Sequence, residues 1–599
     1  MASVEAQAKH LACEQVCELS TCCAEVPCRD VIRQARVTRV RSKGLQALAK
    51  VKLKKSEEGS HKVFQQFGQS MSVKISKIDL PTKSGMPHIL FRDWLKELVE
   101  NDDLDLLVGT KDVGEMERRL SIFWSRYEQV HPEHKIYSRA RAGVLQLSRC
   151  IPVLFHGDEG RSVKKKQLMV LSSHGCLGKG SRPSSHLDGL SGTSADPLKL
   201  NMLGSTMRTH FPLCVLPIQL YSQCEAAFHQ MLEVQARDFK SLFLEGVAIR
   251  DKHYYVCCLG VKGDAPFLAK AGRFNRSFTR RPTRAQSKKP CTGICHQCSA
   301  GDESRIPAMP FEEYGVERPF WLQSEGEVAA YTTPSALLAI PYDDGDGSAM
   351  FKWDLFHNVH LGIGKYYASS AVCTILELVP QSLQQAFQTL TEDFRTYCSE
   401  HRESPYHKRL TSSLFGVEAS FQDCPDAGWS KGDFTRLILC WFEDYCARNV
   451  VGNTQDPLYL KCVEATSSLN NFLRGLYHEG LFISSGTAGR LAREGLCFLR
   501  LYAELAMLSY QRSAKRFPLV PKGHYMHHQC LDLLRQSQKS QWCVSPLLFA
   551  CQCQEDYVGR PSRLSRRVNP RTTSLRVLQR SFLAMRGAEQ ESSAPKIIR

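Results

Sequence analysis

Between residues 151 and 261 the apolar positions fall into short β-rich runs at 152–155, 167–172, 210–221 and 253–261, set apart by polar or Gly/Ser/Pro-rich stretches. Runs of this length predict four strands. Between the third and fourth, residues 224–244 are rich in Ala, Glu, Gln, Leu and Phe, which suits a helix laid across the sheet and makes the region an α/β unit. Residues 172–206 read as a loop or flap. Upstream, Phe91, Trp94, Leu95 and Leu98 share one helical face, and Leu120, Phe123, Trp124 and Tyr127 repeat the pattern. Downstream, residues 353–513 are mainly helical, with Ala488, Leu491, Phe498, Leu501, Leu505 and Leu508 on one stripe. The pattern predicts an α/β fold with a mixed sheet and a large all-α insertion.

The boundaries that follow are a basic, cysteine-containing and partly disordered leader at 1–85 and a helical region at 86–148. The first part of the sheet domain with a cysteine cluster spans 149–310. A helical insertion at 311–515, a final core segment at 516–585 and a tail at 586–599 complete the chain.

The 599 residues carry a net charge of +17, which favours a polyanionic partner such as nucleic acid. Nine Lys or Arg and no acid lie between Arg33 and Lys55, a run that suits phosphate contact or a nuclear address. Eight more, again without an acid, lie in residues 270–289, among them Arg273, Arg276, Arg280 and Arg281. Seven arginines follow in residues 560–580, and Arg560, Arg563, Arg567 and Arg571 would share a helical face that Pro561 and Pro570 interrupt. Residues 1–14 lack the apolar core of a signal peptide, so the 25 cysteines are expected to be reduced thiols or metal ligands in a soluble intracellular protein. No segment is apolar and long enough to span a bilayer.

Two acids follow strand-like runs. Asp158 closes Val153-Leu154-Phe155-His156-Gly157, and Asp264 follows Val261-Lys262-Gly263. On neighbouring strand ends they could share a divalent cation such as Mg²⁺, which takes carboxylate and phosphate oxygens. A third acid on a late helix would complete the set. Glu555 is placed to do so, with Asp556, Glu504 and Glu479 as competitors. Cys291, Cys295 and Cys298 suit tetrahedral Zn²⁺, with the fourth ligand open between His296, Cys257, Cys258 and something remote. His524, His527 and His528 have no glutamate between them, so they do not form the zinc-protease motif and read as buried or phosphate-facing histidines.

This order of parts resembles eukaryotic DDE transposases with an RNase H-like core, in particular the Plavaka and Kyakuja-Dileera-Zisupton group. The resemblance rests on Asp158, on Asp264 with Gly272, Phe274, Cys295 and Cys298, and on Asp354-Leu355-Phe356-His357 with Gly362. It extends to Lys522-Gly523-His524 and to Glu555-Asp556-Tyr557-Val558-Gly559. It implies metal-dependent DNA cleavage and strand transfer with Mg²⁺ or Mn²⁺ held by Asp158, Asp264 and Glu555, a structural Zn²⁺, a nuclear location and, in an active protein, a homo-oligomer. Arg273, Arg276, Arg280, Arg281, Arg560, Arg563 and Arg567 would contact DNA backbone. The rival readings are a non-catalytic nucleic-acid-binding protein that retains the fold, and a zinc-organised interaction protein.

Overall fold

The computed structural model describes residues 24–38, 42–181, 196–280, 292–343, 347–379, 381–417, 424–449 and 455–593. A hairpin of β1 (Ser76–Leu80) and β2 (Lys83–His88) precedes the main sheet. That sheet is built from β3 (Cys150–Arg161), β4 (Gln167–Gly175), β5 (His210–Pro217), β6 (Val247–Ile249) and β7 (Lys252–Lys262) in the order β5-β4-β3-β7-β6. β3, β4 and β5 form an antiparallel meander, and β7 runs parallel to β3 with His156 opposite Lys262. The two parallel strands require a crossover, which the helix Glu225–Leu244 supplies.

Alternation along β3 decides what each face carries. Phe155 packs against Phe239 of the crossover helix, with ring centroids 6.1 Å apart. Gly157, on the same face, lies so close to Phe267 that a Cβ there would meet its ring at 2.1 Å. The opposite face presents His156, Asp158 and Gly160, and the helix Gln552–Ser565 lies across it. A Cβ on Gly160 would sit 1.9 Å from Ser562 Oγ. That helix runs through Pro561, and Pro570 opens a separate 3₁₀ turn before the helix Thr573–Ser593. The expected arginine stripe is therefore broken: Arg560 and Arg563 lie on the helix, whereas Arg567 and Arg571 lie in the turns beyond its end.

The long helical stretch comprises Gly364–Leu378, Leu383–Glu400, Gly432–Arg448, Pro457–His478 and Ser485–Gln511, entered through a π-helical segment, Phe356–Ile363. It is not purely helical, because β8 (Phe482–Ser484) pairs with β9 (Trp542–Val544) beyond it. Residues 311–343 and 347–350, expected to belong to a helical block, are mostly irregular with short 3₁₀ turns. Among the described residues no helix is long and apolar enough to cross a membrane.

The leader departs most from expectation. Residues 24–38 and 42–85 contain the helices Cys28–Val37, Lys43–Ala49 and Ser56–Gln66 as well as β1 and the start of β2. The first helix buries Cys28, Val31, Ile32 and Ala35 along one stripe. Arg580, itself buried, donates to Glu57 Oε1 at 2.8 Å and to the carbonyls of Ala24 and Val26. The last arginine of the basic run at 560–580 thus pins the basic N-terminal unit to the last helix.

Candidate active site and metal centre

Three carboxylates from distant segments meet at the end of the parallel strand pair. Asp158 lies near the end of β3, where its Oδ1 accepts the Glu159 N–H at 2.6 Å. Asp264 caps the helix Ala265–Gly272, accepting the Phe267 N–H at 2.8 Å. Glu555 stands in the first turn of Gln552–Ser565, close enough to Asp158 for the two carboxyls to act on each other. Burial, and then the Glu555 charge, pushes the Asp158 carboxyl up to about 7. Burial and the Asp158 charge push Asp264 up to about 6. Burial raises Glu555 as well. Like charges crowded in a partly dry site disfavour full ionisation, and a positive charge among them would relieve it.

The competing acids are elsewhere. Glu504 is paired with Lys461 and Arg500. Asp556 is exposed and bonded to Thr206, and Glu479 closes the helix Pro457–His478. Glu159, next to Asp158, projects to the opposite face, where Tyr221 Oη and Lys270 Nζ each lie 2.9 Å from its Oε1.

A dyad borders the carboxylates. His357 bonds through Nδ1 to buried Asp354, and its Nε2 lies 3.3 Å from Glu555 Oε1. Burial opposes a charge on this ring, but Asp354 and then Glu555 hold it up at about 9. Burial would also raise Asp354, yet His357 keeps its carboxyl below the ordinary value. Lys522 stands nearby, donating to the Leu361 carbonyl at 2.9 Å, and burial pulls its ammonium down.

The second centre is tighter. Cys295, Cys298, His524 and His528 are all buried, with ligand atoms within 4.8 Å of one another; among the described residues no other such group is drawn up this closely, the carboxylate trio included. Cys298 Sγ lies 3.3 Å from His524 Nε2 and 3.4 Å from His528 Nε2, and Cys295 Sγ lies 3.4 Å from His528 Nε2. Ligands held tetrahedrally at zinc distances of about 2.0–2.3 Å are separated by about 3.3–3.8 Å, so the four could hold a metal such as zinc. Burial opposes ionisation of Cys295, but the hydrogen bond with Cys298 and the His528 charge draw it well below the ordinary thiol value. Glu325 Oε1 lies 3.0 Å from His528 Nδ1 and orients that ring from outside, as outer carboxylates do for ligating histidines.

These positions correct the reading of the cysteine cluster. The remaining ligands are neither His296, whose Nε2 faces the Phe351 carbonyl at 3.0 Å, nor Cys257 or Cys258 on β7. They come from the helix Pro521–Lys539, where the spacing His524-x-x-x-His528 places both rings on one face. That spacing, beside a Cys-x-x-Cys, was the available signal. His527, one position off the face, points to the Val316 carbonyl instead. Cys291 and Arg281 lie outside the described residues.

The arginines also separate. Arg276 is buried, and its donors reach Ser299 and the carbonyls of His296 and Val328, so it braces the cysteine loop and has no face for a phosphate. Arg273 caps the helix Ala265–Gly272 in the left-handed region, and Arg280 ends a 3₁₀ turn. Arg563 and Arg567 are exposed, and Arg560 is partly so beside Asp556. No model of a known protein family matches the chain, and a comparison with curated proteins finds no match either.

Proposed function

We propose that this protein is a transposase-like nuclease and strand-transferase that cuts DNA phosphodiesters with divalent metal ions held by Asp158, Asp264 and Glu555. The observation that carries this reading is the meeting of those three carboxylates, drawn from β3, from the turn after β7 and from a helix nearly 300 residues later. The meander β3-β4-β5, the crossover helix and the parallel β7 follow the strand arrangement expected of an RNase H-like core, with the long helical stretch inserted before Glu555. Mg²⁺ or Mn²⁺ would lower the barrier to forming the attacking oxyanion, first from water and then from a DNA 3′ hydroxyl.

The chain's own groups have definable tasks. Asp158 and Asp264 present carboxylate oxygens from adjacent strand ends, and Glu555 approaches from the covering helix. Zinc on Cys295, Cys298, His524 and His528 would clamp the loop after Asp264 to the helix that begins at Pro521, a structural task. Exposed Arg563 and Arg567 would contact backbone phosphates without reading bases. DNA as partner, a nuclear location and self-association belong to the same reading.

One feature favours a second reading, a nucleic-acid-binding protein that retains the fold without turnover. His357 already places a positive charge against Glu555, and the carboxylates are less tightly drawn than the Cys/His set. The deciding experiment is a Mn²⁺-dependent nicking and strand-transfer assay on wild-type protein and Asp264→Ala. Nicking that survives the substitution refutes the catalytic assignment. Salt-sensitive DNA binding without metal-dependent nicking in either protein selects the second reading.

A further inference from the structure

Gln554 precedes Glu555, and its side chain points into the sheet. It is buried, and its amide nitrogen lies 3.1 Å from His174 Nε2 and 2.7 Å from His210 Nε2. His174 and His210 are cross-strand partners on β4 and β5, their rings stacked 4.8 Å apart. His156 on β3 completes a row of buried histidines on the face that the helix Gln552–Ser565 covers. Burial pushes all three rings down, His210 to about 3, so each is neutral. Both Nε2 atoms accept, and the two protons of one amide are shared between two strands.

Stability alone does not explain this arrangement. Gln554 Oε1 and His174 Nδ1 are buried and find no protein partner, and an unsatisfied buried polar atom costs about 1–3 kcal/mol. Apolar side chains at these positions would avoid that penalty. What the bridge does supply is orientation, because successive helical residues are about 100° apart. Holding Gln554 against β4 and β5 sets the rotation of the helix, and that rotation aims the next side chain at Asp158.

We propose that Gln554 is a positioning residue, which through His174 and His210 sets the helix rotation that brings Glu555 to Asp158 and Asp264. The role rests on the proposed metal-dependent chemistry of those carboxylates. It belongs to this chain's own contacts and concerns metal affinity in the first place, with rate following from it. Losing a group that hydrogen-bonds a ligand directly typically weakens metal binding 10–100-fold, and a rotated Glu555 is expected to fall at the lower end of that range.

The test is Mn²⁺ binding to full-length protein, followed by electron paramagnetic resonance, with nicking measured in parallel. Gln554→Met keeps the length of the side chain and removes both hydrogen bonds. It is expected to weaken Mn²⁺ binding at least about tenfold, to lower kcat while leaving KM for DNA unchanged, and to recover rate when Mn²⁺ is raised. His210→Gln offers an amide oxygen to the same proton and is expected to stay within about threefold of wild type, whereas His210→Leu is not. Should Gln554→Met lose its melting transition, that His210 pair makes the comparison from the other end of the bond. Wild-type affinity in Gln554→Met, or equal losses in both His210 variants, overturns the role and leaves the reading of the carboxylates intact. A wild-type chain that binds no Mn²⁺ overturns both.

Discussion

The Asp354 carboxylate accepts the backbone N–H of Cys551 at 2.9 Å, across 197 positions of sequence and four residues before Glu555. Lys262, buried at the end of β7, donates to the carbonyl of Ala550 at 2.9 Å and to that of Leu548 at 3.3 Å. The segment leading into the Glu555 helix is thus tied both to the π-helical entry and to the sheet. Asp354→Ala would strand His357 and two backbone N–H groups and should lose about 3 kcal/mol in urea unfolding. Asp354→Asn keeps an oxygen for both N–H groups and should lose about half as much. Equal losses would show that the two backbone N–H bonds contribute nothing and that the whole loss comes from the His357 ion pair.

The carboxylates predict an unusual pH dependence. Asp158 and Asp264 are raised from 3.8 to about 7 and about 6, so between about pH 4 and 7 the folded state holds protons that the unfolded state has released. Their contribution to stability therefore falls as pH rises through that window. In metal-free protein, Asp158→Asn should raise the melting temperature at pH 8 relative to wild type, leave it nearly unchanged at pH 4, and reduce Mn²⁺ binding. A variant less stable than wild type at pH 8 would contradict the crowding of like charges.

For the Cys/His centre, purified protein should carry one zinc per chain by elemental analysis. Cys298→Ser and His524→Ala should each remove most of it and lower the melting temperature by several degrees, since a structural site contributes folding energy directly. His527→Ala is the control: its ring faces the Val316 carbonyl, and zinc content should not change. Loss of zinc on His527→Ala would mean that the ligand set is misassigned.

At Gly160 the Glu555 helix lies so close to the sheet that there is no room for a Cβ. Gly160→Ala places a methyl 1.9 Å from Ser562 Oγ and 3.0 Å from Val558, and overpacking of this kind costs about 1–3 kcal/mol. Ser562→Gly in the same chain opens the contact and should restore part of the loss. Thermal unfolding of the single and double variants measures it, and additive losses would rule out the contact.

Much of the site was legible along the chain. Apolar runs located β4, β5, β7 and the crossover helix to within a few residues, because a strand buried on both faces must be continuously apolar; of β3 they located only the first half, since it runs on to Arg161 through polar residues. Asp158 and Asp264 stood out as acids where such runs end. The N-terminal helices were not legible, because a run of lysines and arginines masks a stripe of small apolar residues, and the Arg580 anchor comes from more than 500 positions away. Arg276 and Arg580 look like any other cations in a basic run, yet both are buried and bonded to backbone carbonyls.

The sequence by itself determined four of the five strands, the helix across them and the acids at or near the ends of two, since these depend on local period and on residue type. Only the tertiary structure decided that Glu555, among four late acids, reaches Asp158, that Glu159 turns away to Lys270 and Tyr221, and that His524 and His528 join Cys295 and Cys298. The reason is physical. Periodicity states which face of an element is buried, whereas the identity of a partner depends on which buried faces meet, and here that is settled by the rotation of the Glu555 helix and by Gly160, which lets it lie close on the sheet.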